Sequence, residues 1–153
     1  MKNKIIEKEI EKIISKVKKN NTINPLVKDL THLKTYSIDD SNTIEIDDAI
    51  SLEKTPSDFK LWVHIASPSS YIKFQSAIDK YARKLISTVY LSTNNCYMFP
   101  EILINDAFSL SVKDTRESLS LGVIFNEDGS VSSTEIVQSL IKVDYRLNYT
   151  EAD

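Results

Sequence analysis

Five carboxylates, Asp39, Asp40, Glu45, Asp47 and Asp48, fall within ten residues, in the run Ser37-Ile38-Asp39-Asp40-Ser41-Asn42-Thr43-Ile44-Glu45-Ile46-Asp47-Asp48-Ala49-Ile50. No lysine or arginine lies between Lys34 and Lys54 to neutralise them. Like charges at this spacing repel, and each raises its neighbours' pKa unless a cation or hydrogen bonds hold the ionised form. Ile38, Ile44, Ile46, Ala49 and Ile50 are interleaved, so the acidic side chains cannot all turn to bulk water. Adjacent residues of a regular strand point to opposite faces. The run therefore predicts a bend between two strands, with Asp39 ending the entering strand and Asp47-Asp48 beginning the exit strand. A polyvalent cation is its simplest electrostatic complement.

At 153 residues, with 41% apolar and 27% charged residues, the chain suits one soluble α/β (α+β) domain. Two glycines leave tight turns to Asn, Asp, Ser and Pro, and exclude a Gly-rich phosphate loop. The single cysteine, Cys96, excludes an internal disulfide and fits a reducing compartment. As a lone thiol it is expected to be a small buried hydrophobe. No apolar signal-peptide core opens the chain, and no apolar run nears the roughly 18 residues of a membrane span. A cytoplasmic protein without membrane contact is expected. The net charge of −3 is uneven: residues 1–35 carry nine lysines against four acids, +5, which leaves −8 for the remainder. A basic arm on an acidic body suits either polyanion binding or a lysine-coated solvated helix.

Ile6, Ile10, Ile13 and Val17, with Ile5 and Ile14, predict an amphipathic helix over 4–19, ended by Asn20-Asn21. With its linker it makes a basic segment, 1–35, before a body of 36–153. Beyond the acidic run the period becomes two. Ala49–Leu52 and Lys60–Ala66 read as strands joined by a turn at 54–58. In the second, Leu61, Val63 and Ile65 share one face, and Trp62 and His64 the other, which makes His64 a packed residue. Ser67–Ser70 breaks that strand and is expected to cap the next element. Ser76–Leu85 reads as helix and Ser87–Leu91 as extended chain. Asn126-Glu127-Asp128-Gly129 predicts a hairpin between Leu119–Phe125 and Val131–Val137. Strand character returns over Ile141–Leu147, and a helix start with Thr150 as cap is expected after Asn148. A chain stopping at a helix start suggests a fragment or a protein completed by a partner. The sheet is expected to be mixed and largely antiparallel, with flanking helices.

The residues of the acidic run allow three readings. An EF-hand loop counted from Asp40 lacks both the central glycine and the terminal bidentate glutamate, since Glu45 and Ser51 occupy those places. A solvated polar turn is the second. A magnesium site for phosphate chemistry is the third, because Mg2+ takes hard oxygen ligands from a few carboxylates and completes its shell with water and phosphate oxygens. With two histidines and one cysteine, an ordinary zinc site is not available.

The run from Ser37 to Glu53, with Asp39, Glu45, Asp47 and Asp48 in place, resembles the signature of the RNB catalytic domain of ribonucleases II and R. Leu61-Trp62-Val63-His64-Ile65-Ala66, Ile78-Asp79-Lys80-Tyr81-Ala82, Thr88-Val89-Tyr90-Leu91, Met98-Phe99-Pro100-Glu101, Phe108-Ser109-Leu110, Arg116 and Arg146-Leu147-Asn148-Tyr149 match later landmarks in the same order. The resemblance covers roughly residues 30–153, the N-terminal part of such a domain. It implies a 3′→5′ hydrolytic exoribonuclease that acts on single-stranded RNA and releases nucleoside 5′-monophosphates. It implies Asp39, Glu45, Asp47 and Asp48 as ligands of Mg2+, with Mn2+ as the alternative ion, and Asp47 and Asp48 as catalytic. Asp40 falls at a variable position and is expected to be solvated. Tyr90 matches a tyrosine that stacks on the 3′-terminal nucleotide. Glu45 stands where many members have Asp, Ser67 replaces an acidic residue, and Leu85-Ile86 replace an Arg-Gly-like pair. The family's second half, which supplies an arginine and a glutamate, has no counterpart here, and neither do its OB-fold domains. The resemblance implies a truncated domain, inactive by itself, that is either a fragment of a longer chain or completed by a second polypeptide. A non-catalytic RNA-binding or split-subunit remnant of the family is the alternative.

Overall fold

In the computed structural model, which describes residues 2–19, 25–56, 58–91, 95–112 and 114–153, the isoleucine-rich N-terminal segment is helix α1, Lys2–Lys19. The residues predicted to end that helix, Asn20-Asn21, and Ser57 of the predicted turn lie outside the described residues. No helix among the described residues is long and apolar enough to cross a membrane. The chain divides into two compact units, one of residues 1–22 and 68–108, the other of 23–67 and 109–153.

The first unit is helical. Its core gathers Ile6, Ile10, Ile13, Ile14 and Val17 of α1 around Tyr71, Ile78, Leu103, Ala107 and Phe108. Helix α2, Ala77–Leu85, starts at Ser76, whose hydroxyl accepts the Asp79 N–H. The Glu9 carboxylate of α1 accepts the next two free donors, the Ala77 and Ile78 N–H groups, at 3.1 and 3.0 Å. One glutamate thus satisfies two orphan amides and complements the helix dipole. Ser67–Ser70, expected to cap this helix, instead yields a 3-10 turn at Pro68–Ser70. Helix α2 ends at Ile86, which takes φ +68° and is 80% exposed. A β-branched residue is strained there. Helix α3, Glu101–Leu103, runs on as a π turn over Ile104–Phe108. The predicted extended segment 87–91 contributes one bridge, between Val89 and Cys96, and Cys96 is exposed rather than buried.

The second unit is a seven-stranded sheet of β1 (Lys28–Asp29), β2 (Thr35–Ile38), β3 (Asp48–Lys54), β4 (Phe59–Ala66), β5 (Thr115–Phe125), β6 (Val131–Lys142) and β7 (Tyr145–Leu147). The spatial order is β1-β6-β5-β4-β3-β2-β7. The β1–β6 and β2–β7 pairs are parallel and the others antiparallel, so the sheet is mixed and largely antiparallel, as expected. Strands β5 and β6 outrun their predicted ends because they stay paired from Thr115–Lys142 to the hairpin. Helix α4, Tyr149–Ala152, is capped by Asn148, not Thr150: Asn148 and Glu151 bond each other's backbone N–H in a capping box.

The period-two pattern of β4 is correct, but the polar-looking face is the buried one. Trp62 and His64 are fully buried, whereas Ile50, Leu52, Ile65, Leu119, Leu121 and Ile136 are exposed on the opposite face. The inner face packs Trp62 with Leu30, Leu33, Ile46, Ala49, Leu110, Ile141 and Val143. Beside the aromatic ring, β5 carries Gly122, where a Cβ would stand 2.8 Å from the Trp62 ring and 3.0 Å from Lys60 Cδ. The rest of the inner face is a row of hydroxyls joined through His64. Ser51 Oγ lies 2.9 Å from Nε2, Ser120 Oγ lies 2.6 Å from Nδ1, and Ser139 and Ser118 extend the chain. Burial pushes the His64 pKa from 6.5 down to about 4, so the ring is neutral at physiological pH.

Candidate metal and phosphate site

The acidic run folds as the expected bend between β2 and β3, and almost every part of it is anchored. On entry, the Asp39 N–H donates to the Leu147 carbonyl on β7 at 3.0 Å. The Thr43 N–H turns back to the Asp40 carbonyl, and the Asp40 carboxylate accepts the Asn42 N–H at 2.9 Å. Asp40 is exposed and engaged in this local turn, which removes it from the candidate ligands on structural grounds. Arg146 Nη2 donates to the carbonyls of Asp40, Ser41 and Thr43.

The second half of the bend is held from the other side. The Ser109 hydroxyl donates to the Ile44 carbonyl and accepts the Ile46 N–H, both at 3.0 Å. The Leu110 N–H adds a bond to the Ile46 carbonyl, and the Ala66 N–H one to the Asp47 carbonyl. Ser109 is itself fixed by Arg116, a buried arginine whose Nε donates to the Ser109 carbonyl at 3.2 Å. Ile46 is the apolar anchor of the bend, 3% exposed within the core.

This scaffold keeps Asp39, Glu45, Asp47 and Asp48 close enough to feel one another. The Asp39 pKa is raised, first by burial and then by Asp48, with Arg146 opposing. The Asp47 pKa is raised to about 6, first by partial desolvation, then by Glu45, Asp48 and Asp39 in turn. Asp47 as a residue is exposed, so solvent screens these repulsions, and their direction is what the geometry fixes. One buried oxygen, Asp39 Oδ2, has no hydrogen-bond partner among the described residues. Among the described residues, no three His, Cys, Asp or Glu side chains stand together as a closed metal cradle. The donor chemistry nevertheless fits a hard divalent cation, which needs only one or two carboxylates beside water and phosphate oxygens. An orphaned carboxylate oxygen among mutually repelling carboxylates is what such an ion would relieve.

Tyr90, the expected nucleotide-stacking residue, belongs to the helical unit and is 61% exposed. Ser109, Arg116 and Arg146 shape the bend although sequence reasoning gave them no role beyond family landmarks. The bend residues that Ser109 and Arg146 hold lie more than 60 residues from them, beyond any local pattern.

Comparison with known proteins assigns this fold, a mixed sheet with an acidic bend between β2 and β3, to a family. The RNB domain family model matches residues 27–153, and the chain belongs to that family. Over 126 residues it is 40% identical to an uncharacterized ribonuclease of Synechocystis sp., covering 82% of this chain and 19% of that protein. It is 35% identical over 125 residues to the chloroplastic/mitochondrial ribonuclease II of Arabidopsis thaliana, covering 81% of this chain and 16% of that protein. The solved structure of Mycoplasma genitalium RNase R in complex with ribose methylated single-stranded RNA superposes with a TM-score of 0.78. That match has 25% identity and covers 92% of this chain and 23% of the other. The chain thus spans less than a fifth of the length of the curated relatives it matches.

Proposed function

We propose that this chain carries the metal-binding part of a 3′→5′ hydrolytic exoribonuclease active site that releases nucleoside 5′-monophosphates from single-stranded RNA. The observation that carries the reading is the pinned bend holding Asp39, Glu45, Asp47 and Asp48 on an RNB fold, with Asp39 Oδ2 lacking a hydrogen-bond partner among the described residues. Mg2+, or Mn2+ in its place, would supply an activated water at neutral pH and charge stabilisation at the scissile phosphate. Asp39, Glu45, Asp47 and Asp48 would hold it. Asp47 and Asp48, where the bend meets β3, would act on the reacting phosphate through that ion. Tyr90 stacks on the terminal base, a contact open to any base because each has a π-face.

Given how little of its relatives' length the chain spans, catalysis draws on groups outside it, from further chain or from a second polypeptide. The lone thiol of Cys96 suits a reducing, cytoplasmic setting. The test is release of nucleoside 5′-monophosphates from 3′-labelled single-stranded RNA, with and without Mg2+, beside DNA of the same sequence. In an enzyme completed or reconstituted with the missing groups, Asp47→Asn and Asp48→Asn are each expected to abolish release while leaving RNA affinity nearly unchanged. Equal release by either variant, or equal action on DNA, overturns the assignment. Tyr90→Ala is expected to lengthen the end products, and an unchanged product ladder removes its stacking role. The second reading, an RNA-binding remnant without catalysis, is favoured by the lack of a closed three-residue cradle among the described residues. Binding of RNA that is indifferent to Mg2+ and to Asp47→Asn would select it.

A further inference from the structure

We propose that Arg146 is the positioning residue of the acidic bend, holding it in the shape that lets its carboxylates share one cation. The proposal rests on the metal-site reading above. One guanidinium nitrogen, Nη2, reaches the carbonyls of Asp40, Ser41 and Thr43 at 2.9, 3.3 and 2.6 Å. Three backbone oxygens converging on one point resemble the wall of a cation site, and here the cation is a side chain. The arrangement has a physical cost that explains its need. Carbonyl dipoles aimed at one another repel, and the bend adds the like charges of Asp39, Asp47 and Asp48. A fixed positive charge at the carbonyls relieves the first repulsion and partly offsets the second.

The anchor is well placed to be rigid. Arg146 is the central residue of β7, paired in parallel with Ser37, two residues before Asp39. The Asp39 N–H bonds Leu147, the residue after Arg146. Strand β7 therefore fixes both the entry of the bend and, through the guanidinium, its first turn. Ser109 fixes the second turn independently, through Ile44 and Ile46. Removing Arg146 frees residues 40–43 alone, so the two halves of the bend are separable by experiment. No ion pair among the described residues engages Arg146, so the guanidinium charge is directed at the bend.

The experiment compares the chain with Arg146→Ala and Arg146→Lys by amide hydrogen exchange, thermal unfolding and Mn2+ binding followed by electron paramagnetic resonance. In Arg146→Ala, the Asn42 and Thr43 amides are expected to lose protection by about tenfold or more, while Val63 and Leu121 in the central strands keep theirs. Mn2+ affinity is expected to fall by about 10- to 100-fold, the range seen when a residue supporting metal ligands is removed. Arg146→Lys, with three N–H donors on one nitrogen, is expected to restore part of both. Unchanged protection at residues 42–43, or equal loss across the whole sheet, overturns the proposal. So does undiminished Mn2+ affinity in Arg146→Ala. If the unaltered chain binds no Mn2+, the metal-site reading fails, and the exchange comparison alone decides the positioning role.

Discussion

Replacing His64 by glutamine should remove one pH dependence from the stability of the sheet. The ring is fully buried among Ser51, Ser120 and their hydroxyl partners, and its folded pKa is about 4 against 6.5 in the unfolded chain. Between those values the unfolded state binds a proton that the folded state refuses. Stability from the neutral ring is therefore fully present above pH 6.5 and is lost as pH falls through about 4. The gap corresponds to about 2 kcal/mol lost by pH 5 and about 3 kcal/mol by pH 4. Asp47 works in the opposite direction over a similar range, because its raised pKa favours the folded state as pH falls. The wild-type curve alone mixes the two, and the difference between wild type and His64→Gln isolates the histidine. Urea unfolding at pH 7.5, 6, 5 and 4 measures it. A constant offset from lost packing is expected, on which that difference shrinks by about 3 kcal/mol toward pH 4. A difference flat with pH would mean that the ring is charged in the folded state or accessible to water, and the reasoning would fail.

Two further substitutions test backbone and packing. Ile86→Gly should stabilise the chain by about 1 kcal/mol, because glycine adopts φ +68° without the clash that a β-branched residue suffers; thermal unfolding measures it, and destabilisation would show that Ile86 packs productively despite its exposure. Gly122→Ala should destabilise by about 1–3 kcal/mol as its Cβ displaces the Trp62 ring, with a change in tryptophan fluorescence; a neutral result would mean that the ring has room to move.

Periodicity made the local elements legible, and long-range bonds explain most of what was not. The isoleucine stripe of α1, the alternation of β4 and the Asn126–Gly129 turn all depend on neighbours within a few residues. The bend was legible from its charge, and the structure places Asp39 and Asp47-Asp48 at its two ends as expected. Arg146 and Ser109 were not, since their partners at Thr43 and Ile44 lie 103 and 65 residues away. The cap of α4 was misplaced because threonine and asparagine are both good caps; the reciprocal Glu151 bond, three residues after Asn148, decides between them. Cys96 was expected inside on composition, but it sits in a single bridge with Val89 at the surface. On β4 the alternation separates the two faces and His64 is packed as expected, but which face is inner is decided by long-range bonds: the serines and His64 satisfy one another and can be buried, which leaves the aliphatic face outward.

The hydroxyl row on that inner face also bears on how the sequence can drift. Ser118, Ser120 and Ser139 lie within 2.5–3.2 Å of one another, and Ser120 also serves His64. Losing one hydroxyl strands a buried partner at a cost of about 1–3 kcal/mol, whereas exchanging the whole set for apolar groups of similar shape is nearly neutral. Single steps out of the network are penalised and concerted ones are not. These positions should therefore diverge as a block, polar together or apolar together, and mixed combinations should be the rare intermediates of a coupled path.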